Sequence, residues 1–305
     1  MANSPIMSSL TPYIEQNRLP LIAKAVLKSK SAGLFNLQTG IKTNAMLNLL
    51  STDIKFGEGL ACGWSESGSQ TLSQREIKTG AVKVNMAYCE KEFLKYWTQY
   101  AVRVAAGQKT LPFEEEFINE VIKNVNAKVE TAIWQGDTDS SDVNLNKVDG
   151  LLKILGNEAS VVKATISGTA TPEGVYSDVM AVYNAIPVEA VEGASILVGA
   201  DKFRLFVQKL VADNLYHYNV EAPVDEVVIP GTNVKVIAVN GLNGTGKIVA
   251  GQLDKNFFYG CDMADDQEKF EFWYSQDNRE FRLDIEFNFG VQVAYPDMVV
   301  LGKTA

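Results

Sequence analysis

One histidine in 305 residues rules out more chemistry than any motif in the chain suggests. With only His217 available, a multi-histidine metal centre cannot be built. His217 sits in NLYHYNV with no serine or cysteine nucleophile motif beside it, the setting of a partly buried, hydrogen-bonded histidine rather than a catalytic base. Cysteine is almost as scarce: Cys62, Cys89 and Cys261 form no C-x-x-C pair and no zinc spacing, and so few thiols fit a reducing compartment. Long apolar runs are missing too, which excludes a membrane-spanning helix. The opening MANSPIMSSLTPYIEQNRLPLIAKAVL has no early basic cluster and carries prolines at 5, 12 and 20, so no signal peptide is expected.

Basic charge is also in short supply. Twenty-eight Lys and Arg face 37 Asp and Glu, a net of −9, whereas a protein that grips phosphates by charge usually shows the opposite balance. The balance is uneven: within residues 1–50, Arg18, Lys24, Lys28, Lys30 and Lys42 stand against Glu15 alone. That local excess points to an arm with contacts of its own. With 46% apolar and 21% charged residues the chain can build a real core, and its length suits two subdomains.

Residues 1–50 show no sustained periodicity and read as an extended arm with one short helix, Leu21 to Lys28. From Ser51 to Thr79, glycines and serines punctuated by Ile54, Phe56, Leu60, Trp64, Leu72 and Ile77 read as a long hairpin. AVKVNMAYC, 81 to 89, alternates like a strand, and a helix is predicted over Glu90 to Ala106. The clearest helical signal covers 113–135, where Phe113, Phe117, Ile118, Val121, Ile122, Val125, Val129, Ala132 and Ile133 recur at steps of three and four. Pro112 and Glu114 to Glu116 suit its start and Gly136 its end. At 1.5 Å per residue it would be about 34 Å long.

Two more helices, Pro172 to Ile186 and Asp201 to Asp213, flank the strand-like SILVG. After Val224 the pattern is almost wholly β and closes on REFRLDIEFNFGVQVAYP. There Phe281, Leu283, Ile285, Phe287, Phe289, Val291, Val293 and Tyr295 share one face, and Arg282, Asp284, Glu286, Asn288 and Gln292 the other. Such a strand would run roughly 50 Å, well beyond the usual length. Eleven of the 29 aromatics lie between Phe257 and Tyr295, and their β spacing assigns them to sheet packing rather than a ligand cage. No internal repeat or low-complexity tract is present.

Three motifs invite a chemical reading. Gly241 to Lys247 matches G-x-x-x-x-G-K, but Ile248 replaces the magnesium-binding hydroxyl and the flanks read as strands, so a turn is expected instead of a nucleotide loop. Asp137, Asp139 and Ser141 resemble the start of a calcium loop, but Asp142 and Val148 replace its glycine and glutamate, leaving a solvated acidic loop. Asp265 with Asp266, and Asp284 with Glu286, are carboxylate pairs on polar faces without further acid–base signals.

The order of features, basic arm, long hairpin, isolated long helix, α/β insertion and a last long strand, resembles the HK97-fold major capsid proteins of tailed bacteriophages over nearly the whole chain. AKVETAIWQGD followed by a polar loop and VDGLLKIL looks like that family's spine helix and its continuation, and FNFGVQVAYPDMVVLGK like its closing strand. The resemblance implies an α+β fold with an N-terminal arm (1–50), an extended loop (51–82) and a peripheral domain (83–171) carrying the spine helix 113–135. An axial domain (172–268) and returning strands with a tail (269–305) would complete it. It implies a structural protein, not an enzyme, that assembles with itself into hexamers and pentamers of an icosahedral shell. Packaged DNA would be enclosed without sequence-specific binding, with portal, scaffolding and decoration proteins as further partners. The expected location is the virion capsid, assembled in host cytoplasm, with no membrane, metal or cofactor. Phe56, Trp64, Leu72, Arg75 and Ile77 are the expected subunit-interface residues. Neither Lys55 nor Lys78 matches a crosslinking lysine. Two alternatives stay open: an encapsulin-like nanocompartment shell of the same fold, and a nucleotide-binding enzyme using Gly241 to Lys247.

Overall fold

The computed structural model describes residues 13, 14, 17, 21, 24, 27–56, 68–106, 113–215, 225–262 and 269–304. The chain runs α1 (Lys30–Leu34), β1 (Asn36–Thr39), β2 (Asn44–Ile54), β3 (Gly68–Lys78), β4 (Gly80–Cys89), α2 (Glu90–Ala105) and the long helix α3 (Phe113–Gln135). Then come α4 (Leu151–Asn157), β5 (Val162–Ile166), α5 (Pro172–Asn184), α6 (Val188–Val191), β6 (Ser195–Gly199), α7 (Ala200–Ala212), β7 (Glu226–Val228) and β8 (Lys235–Val239). The last part holds β9 (Ile248–Gly251), α8 (Leu253–Asn256), β10 (Phe257–Cys261), β11 (Lys269–Ser275), β12 (Glu280–Val293) and β13 (Val300–Thr304).

The alternating run near the C-terminus forms β12, fourteen residues long, and every odd-numbered side chain from Phe281 to Val293 is buried. A strand of this length persists only with both edges paired. Ile285 pairs with Phe270 on one side and Val84 on the other, as Phe289 does with Cys261 and Gly80. Strands β10 and β11 therefore lie end to end along one edge of β12, and β4 runs along the other. Strand β1 adds in parallel outside β10. The strand ends two residues before the predicted Tyr295, because Asn256 takes over its hydrogen bonds: its carbonyl accepts from Ala294 and its Oδ1 from Tyr295.

Against the apolar face of this sheet lies α3. Ile118, Val121, Ile122, Val125, Val129, Ala132 and Ile133 are buried, the expected 3.6-residue periodicity. One polar residue interrupts it. Glu130 is buried and accepts hydrogen bonds from the backbone N–H and hydroxyl of Ser31, at 3.0 and 2.6 Å, while the Trp134 indole donates to the same hydroxyl at 2.6 Å. This junction pins the N-terminal arm to the helix. Residues 13, 14, 17, 21, 24 and 27 of the arm are helical, and Ile14 and Leu21 are buried in the same core. Gly241 completes the junction: a Cβ there would come within 2.3 Å of both the Glu130 carbonyl and the Trp134 ring.

The second sheet has the order β5-β13-β9-β6-β8-β7. Its central strands are uninterrupted apolar runs, SILVG, VIAV and IVAG, because both faces are covered. Ile196, Val198, Val236, Ala238, Ile248 and Ala250 face α5 and α7. Leu197, Ile237, Val239 and Val249 face the core built on α3. The two sheets thus share one long helix.

Several expected boundaries shift. The hairpin begins at Asn44, inside the segment read as arm, and ends at Lys78 rather than 82; consecutive Leu49 and Leu50 hide its alternation. Strand β10 falls within the expected axial segment 172–268 but joins the first sheet, and β5 and β13, expected outside that segment, join the second. Parallel pairing of β13 with β5 lets the last strand finish the sheet that an earlier segment began. Pro112 lies outside the described residues.

The junction predicts a large effect from a small change. Ser31→Ala removes two of its three hydrogen bonds and leaves a buried carboxylate and indole N–H short of partners, which should cost about 3 kcal/mol in denaturant unfolding. A loss below about 0.5 kcal/mol, the usual range for an exposed surface position, would show that the junction does not hold the arm.

Candidate assembly surface

The hairpin has two unlike faces. Pairing runs from Asn44↔Lys78 to Ile54↔Gly68, so Ala45, Leu47, Leu49, Arg75 and Ile77 share one side, and Met46, Leu50, Ile54 and Leu72 the other. On the first side, Leu47, Leu49 and Ile77 are buried with Ile41 and Ala294 in a small separate core, and Arg75 forms an ion pair with Glu158. On the second side none of the described residues covers the apolar groups: Leu72 is 81% exposed and Ile54 74%, with Leu50 and Met46 more than half exposed. Leu50 and Leu72 are direct cross-strand partners at the centre of this stripe.

The predicted interface residues divide accordingly. Phe56 is fully exposed and Leu72 nearly so. Ile77 is completely buried within its own subunit and Arg75 is turned to Glu158, because the register puts both on the body-facing side; neither is an exposed interface group. Trp64, Cys62, His217, Asp265 and Asp266 lie outside the described residues. Met46, Leu50 and Ile54, exposed on the same side as Leu72, are not among the predicted residues. Their spacing of four, each on the same side of a strand, was the available signal.

A second apolar surface lies beside the long helix. Between α3 and the helix-facing side of β4 and β12 is an open cleft of about 870 Å³. Val84, Met86 and Tyr88 line it from the strand, and Phe117, Val121 and Val125 from the helix, with Glu116, Glu120, Lys83 and Lys128 among its charged lining groups. The sequence signal was the width of the apolar arc on α3. Phe117, Val121 and Val125 form a stripe beside the one made by Ile118, Ile122, Val129 and Ile133, wider than one packing face requires.

The motifs with chemical overtones resolve into structural roles. Residues 240–242 form a single 3₁₀ turn and Ile248 enters β9, so the helix a phosphate loop needs does not follow Lys247. Instead the turn serves the start of α7: Asn243 Oδ1 accepts from the Ala200 N–H at 2.7 Å, Asp201 accepts from the Gly244 N–H, and buried Lys202 donates to the Gly246 carbonyl. Asp284 and Glu286 are both ion-paired to Lys83, at 3.3 and 2.5 Å. Among the described residues no cluster of His, Cys, Asp and Glu is arranged to hold a metal.

The acidic loop after α3 is clipped by its own cation. Lys153 Nζ lies 2.7 Å from Asp137, 2.7 Å from Asp139 and 2.8 Å from Asp149. Hydrogen bonds from Lys153 and from the Asp139 N–H lower the Asp137 carboxyl pKa. Burial pushes Asp149 up, but Lys153 and Thr138 outweigh it and its pKa is also lowered. Hydrogen bonding to Asp137, Asp139 and Asp149 holds the Lys153 ammonium well above its ordinary value.

No family model matches the chain, and no curated protein matches it in sequence. Its fold does have counterparts. A chain of the satellite phage P4 procapsid including size determination (Sid) protein superposes with a TM-score of 0.61 at 13% identity, covering 95% of this chain and 98% of that one. The capsid of the native GTA particle gives 0.58 at 14% identity, covering 92% and 90%. The virus-like particle from Pyrococcus furiosus gives 0.54 at 9%, covering 94% and 98%. The α+β architecture expected from the sequence is thus the fold of this chain, and it matches chains of solved capsids over more than nine-tenths of its length.

The clip has a pH signature with a definite sign. Lowered carboxyl values stabilise the loop above the ordinary carboxylate range and lose that contribution as pH falls through them; a raised lysine value stabilises it below about 10.5 and is lost as pH rises further. Hydrogen exchange of residues 137–149 should therefore be slowest relative to intrinsic rates between about pH 5 and pH 10. In Lys153→Met the acid limb should reverse, because protonation then relieves repulsion among three uncompensated carboxylates.

Proposed function

We propose that the chain is the building block of a closed icosahedral shell, the major capsid protein of a tailed phage. The observation that carries this reading is the hairpin stripe of Met46, Leu50, Ile54 and Leu72, an apolar sheet face that the described residues leave uncovered. The end-to-end likeness to capsid subunits supports it. The cleft between α3 and the sheet is the complementary feature, an apolar surface on the body onto which a neighbour's hairpin can fold. Identical copies in hexamers and pentamers would each donate one hairpin and receive another.

In this reading the enclosed DNA is held by the wall rather than gripped by it, in keeping with a subunit of net charge −9. Portal, scaffolding and decoration proteins would be the other partners, the virion the location and the host cytoplasm the place of assembly. The role is structural, with no catalytic step assigned to any residue. The likeness to the virus-like particle from Pyrococcus furiosus favours a second reading, an encapsulin-like compartment wall around protein cargo. Particles purified from the native source would separate the two by their contents, DNA or protein.

The test is negative-stain microscopy of the chain expressed alone, beside a Leu50→Asp/Leu72→Asp variant. Wild-type chains should yield closed particles. The variant should retain its circular dichroism and lose no more than about 1 kcal/mol, since both positions are exposed, yet yield no particles. Closed shells from the variant would remove the hairpin face from the assembly contact.

A further inference from the structure

The hairpin joins the body through very little. Five buried residues, Ile41, Leu47, Leu49, Ile77 and Ala294, with Ala45, Phe258 and Tyr295 packed against them, make up its base, separate from the two large cores. The Glu76 carbonyl accepts from Gln292 at 2.7 Å. Beyond Leu49 and Ser73 the described side chains of both strands are exposed. Apolar contact of this kind fixes where the base sits, but it is not directional and leaves the hairpin free to pitch about it. Two hydrogen bonds also reach the hairpin backbone, from Gln292 and, at 3.5 Å, from the Tyr295 hydroxyl to the Leu50 carbonyl, and the one ion pair between body and hairpin among the described residues adds a charged contact. Arg75, paired with Leu47 in the middle of the body-facing row, binds Glu158 at the end of α4, and both side chains are largely withdrawn from solvent. Arg75 Nε is itself buried with no hydrogen-bond partner, so this guanidinium gave up hydration to reach one carboxylate. An arginine–carboxylate pair has a preferred geometry, and here it spans the two parts whose angle is otherwise loosely held.

We propose that the Arg75–Glu158 pair is a latch that sets the pitch of the hairpin against the subunit body. A hairpin held at one angle presents its apolar stripe in one direction, and in a shell that direction governs how steeply neighbouring subunits incline. Only this last consequence rests on the shell reading.

The pitch can be read directly. Spin labels at Gln70→Cys on the exposed hairpin and Lys163→Cys on β5, with Cys62 and Cys89 changed to serine and Cys261 left buried, report the distance between hairpin and body in unassembled subunits. The otherwise unaltered chain should give one narrow distribution. Arg75→Glu and Glu158→Arg should each about double its width, and the double charge swap should narrow it again. Equally narrow distributions in the single variants would overturn the latch. So would a double swap as broad as the singles, which would assign the effect to lost packing. Where shells form, the single variants should also give a wider spread of diameters by electron microscopy than the wild type or the swap. Wild-type subunits that form no shells would defeat the shell reading while the distance measurement still decides the latch.

Discussion

Most of the molecule is positioned by the pairing of β4 with β12, ten consecutive cross-strand partners from Gly80↔Phe289 to Cys89↔Glu280. Strand β3 of the hairpin passes into β4 through Thr79 alone, whose N–H donates to the Thr43 carbonyl across the hairpin's base. At the other end β12 passes through a short 3₁₀ turn into β13, which lies inside the second sheet. The hairpin and the second sheet thus hang from the same strand pair. Glycines mark where these elements cross closely: a Cβ on Gly290 would meet the Lys78 carbonyl at 2.2 Å, and one on Gly80 the Lys147 carbonyl at 2.0 Å. Covering the apolar face of this pair with α3 completes a wall from which one arm reaches outward.

How much of this was legible depended on whether a segment's partners were uniform. Strand β12 has one face in the core along its whole length, so its alternation is clean and its bounds were read to within two residues. Helix α3 was read equally well, since one apolar stripe faces one sheet. Strand β2 was not, because both of its faces carry apolar groups: Leu47 and Leu49 pack inward while Met46, Leu50 and Ile54 stand on the uncovered side. The side chains alternate but their hydrophobicity does not. Register across the hairpin is likewise a property of two segments together, and register alone decides that Ile77 is core and Leu72 is surface. The cleft was illegible for a related reason, since its walls come from β4, α3 and β12, far apart in sequence, and each looks like ordinary core-facing pattern.

Charge in this subunit is used locally rather than as a field. The acidic loop of residues 137–149 closes on itself: the Asp137 N–H donates to the Leu145 carbonyl and the Gly150 N–H to the Gly136 carbonyl, and Lys153 holds three carboxylates within the loop. A lysine does here what a bound cation does in loops of similar composition. On the outer face of β12, Lys83 bridges Asp284 and Glu286 in the same way. Such arrangements neutralise acidic side chains in place, in keeping with the absence of a metal-holding acidic cluster among the described residues.

The remaining asymmetry is apolar. Four side chains on the outer hairpin face, each partly buried already and worth roughly 1.5 to 3 kcal/mol for full burial, represent about 4 to 8 kcal/mol of gross stabilisation when a partner covers them. Bringing two subunits together costs about 4 to 15 kcal/mol in lost rigid-body freedom. A single hairpin contact is therefore marginal, and two copies meeting in isolation would separate readily. The balance changes when contacts close into a ring, because each added copy engages two neighbours while losing its freedom only once. Weak individual contacts also let a misplaced copy leave before it is trapped. A hairpin that was apolar on both faces would bind more strongly and lose that reversibility. With Leu47, Leu49 and Ile77 turned inward and Met46, Leu50, Ile54 and Leu72 outward, each contact of the proposed shell would stay in the range where closed assembly is stable and open fragments are not.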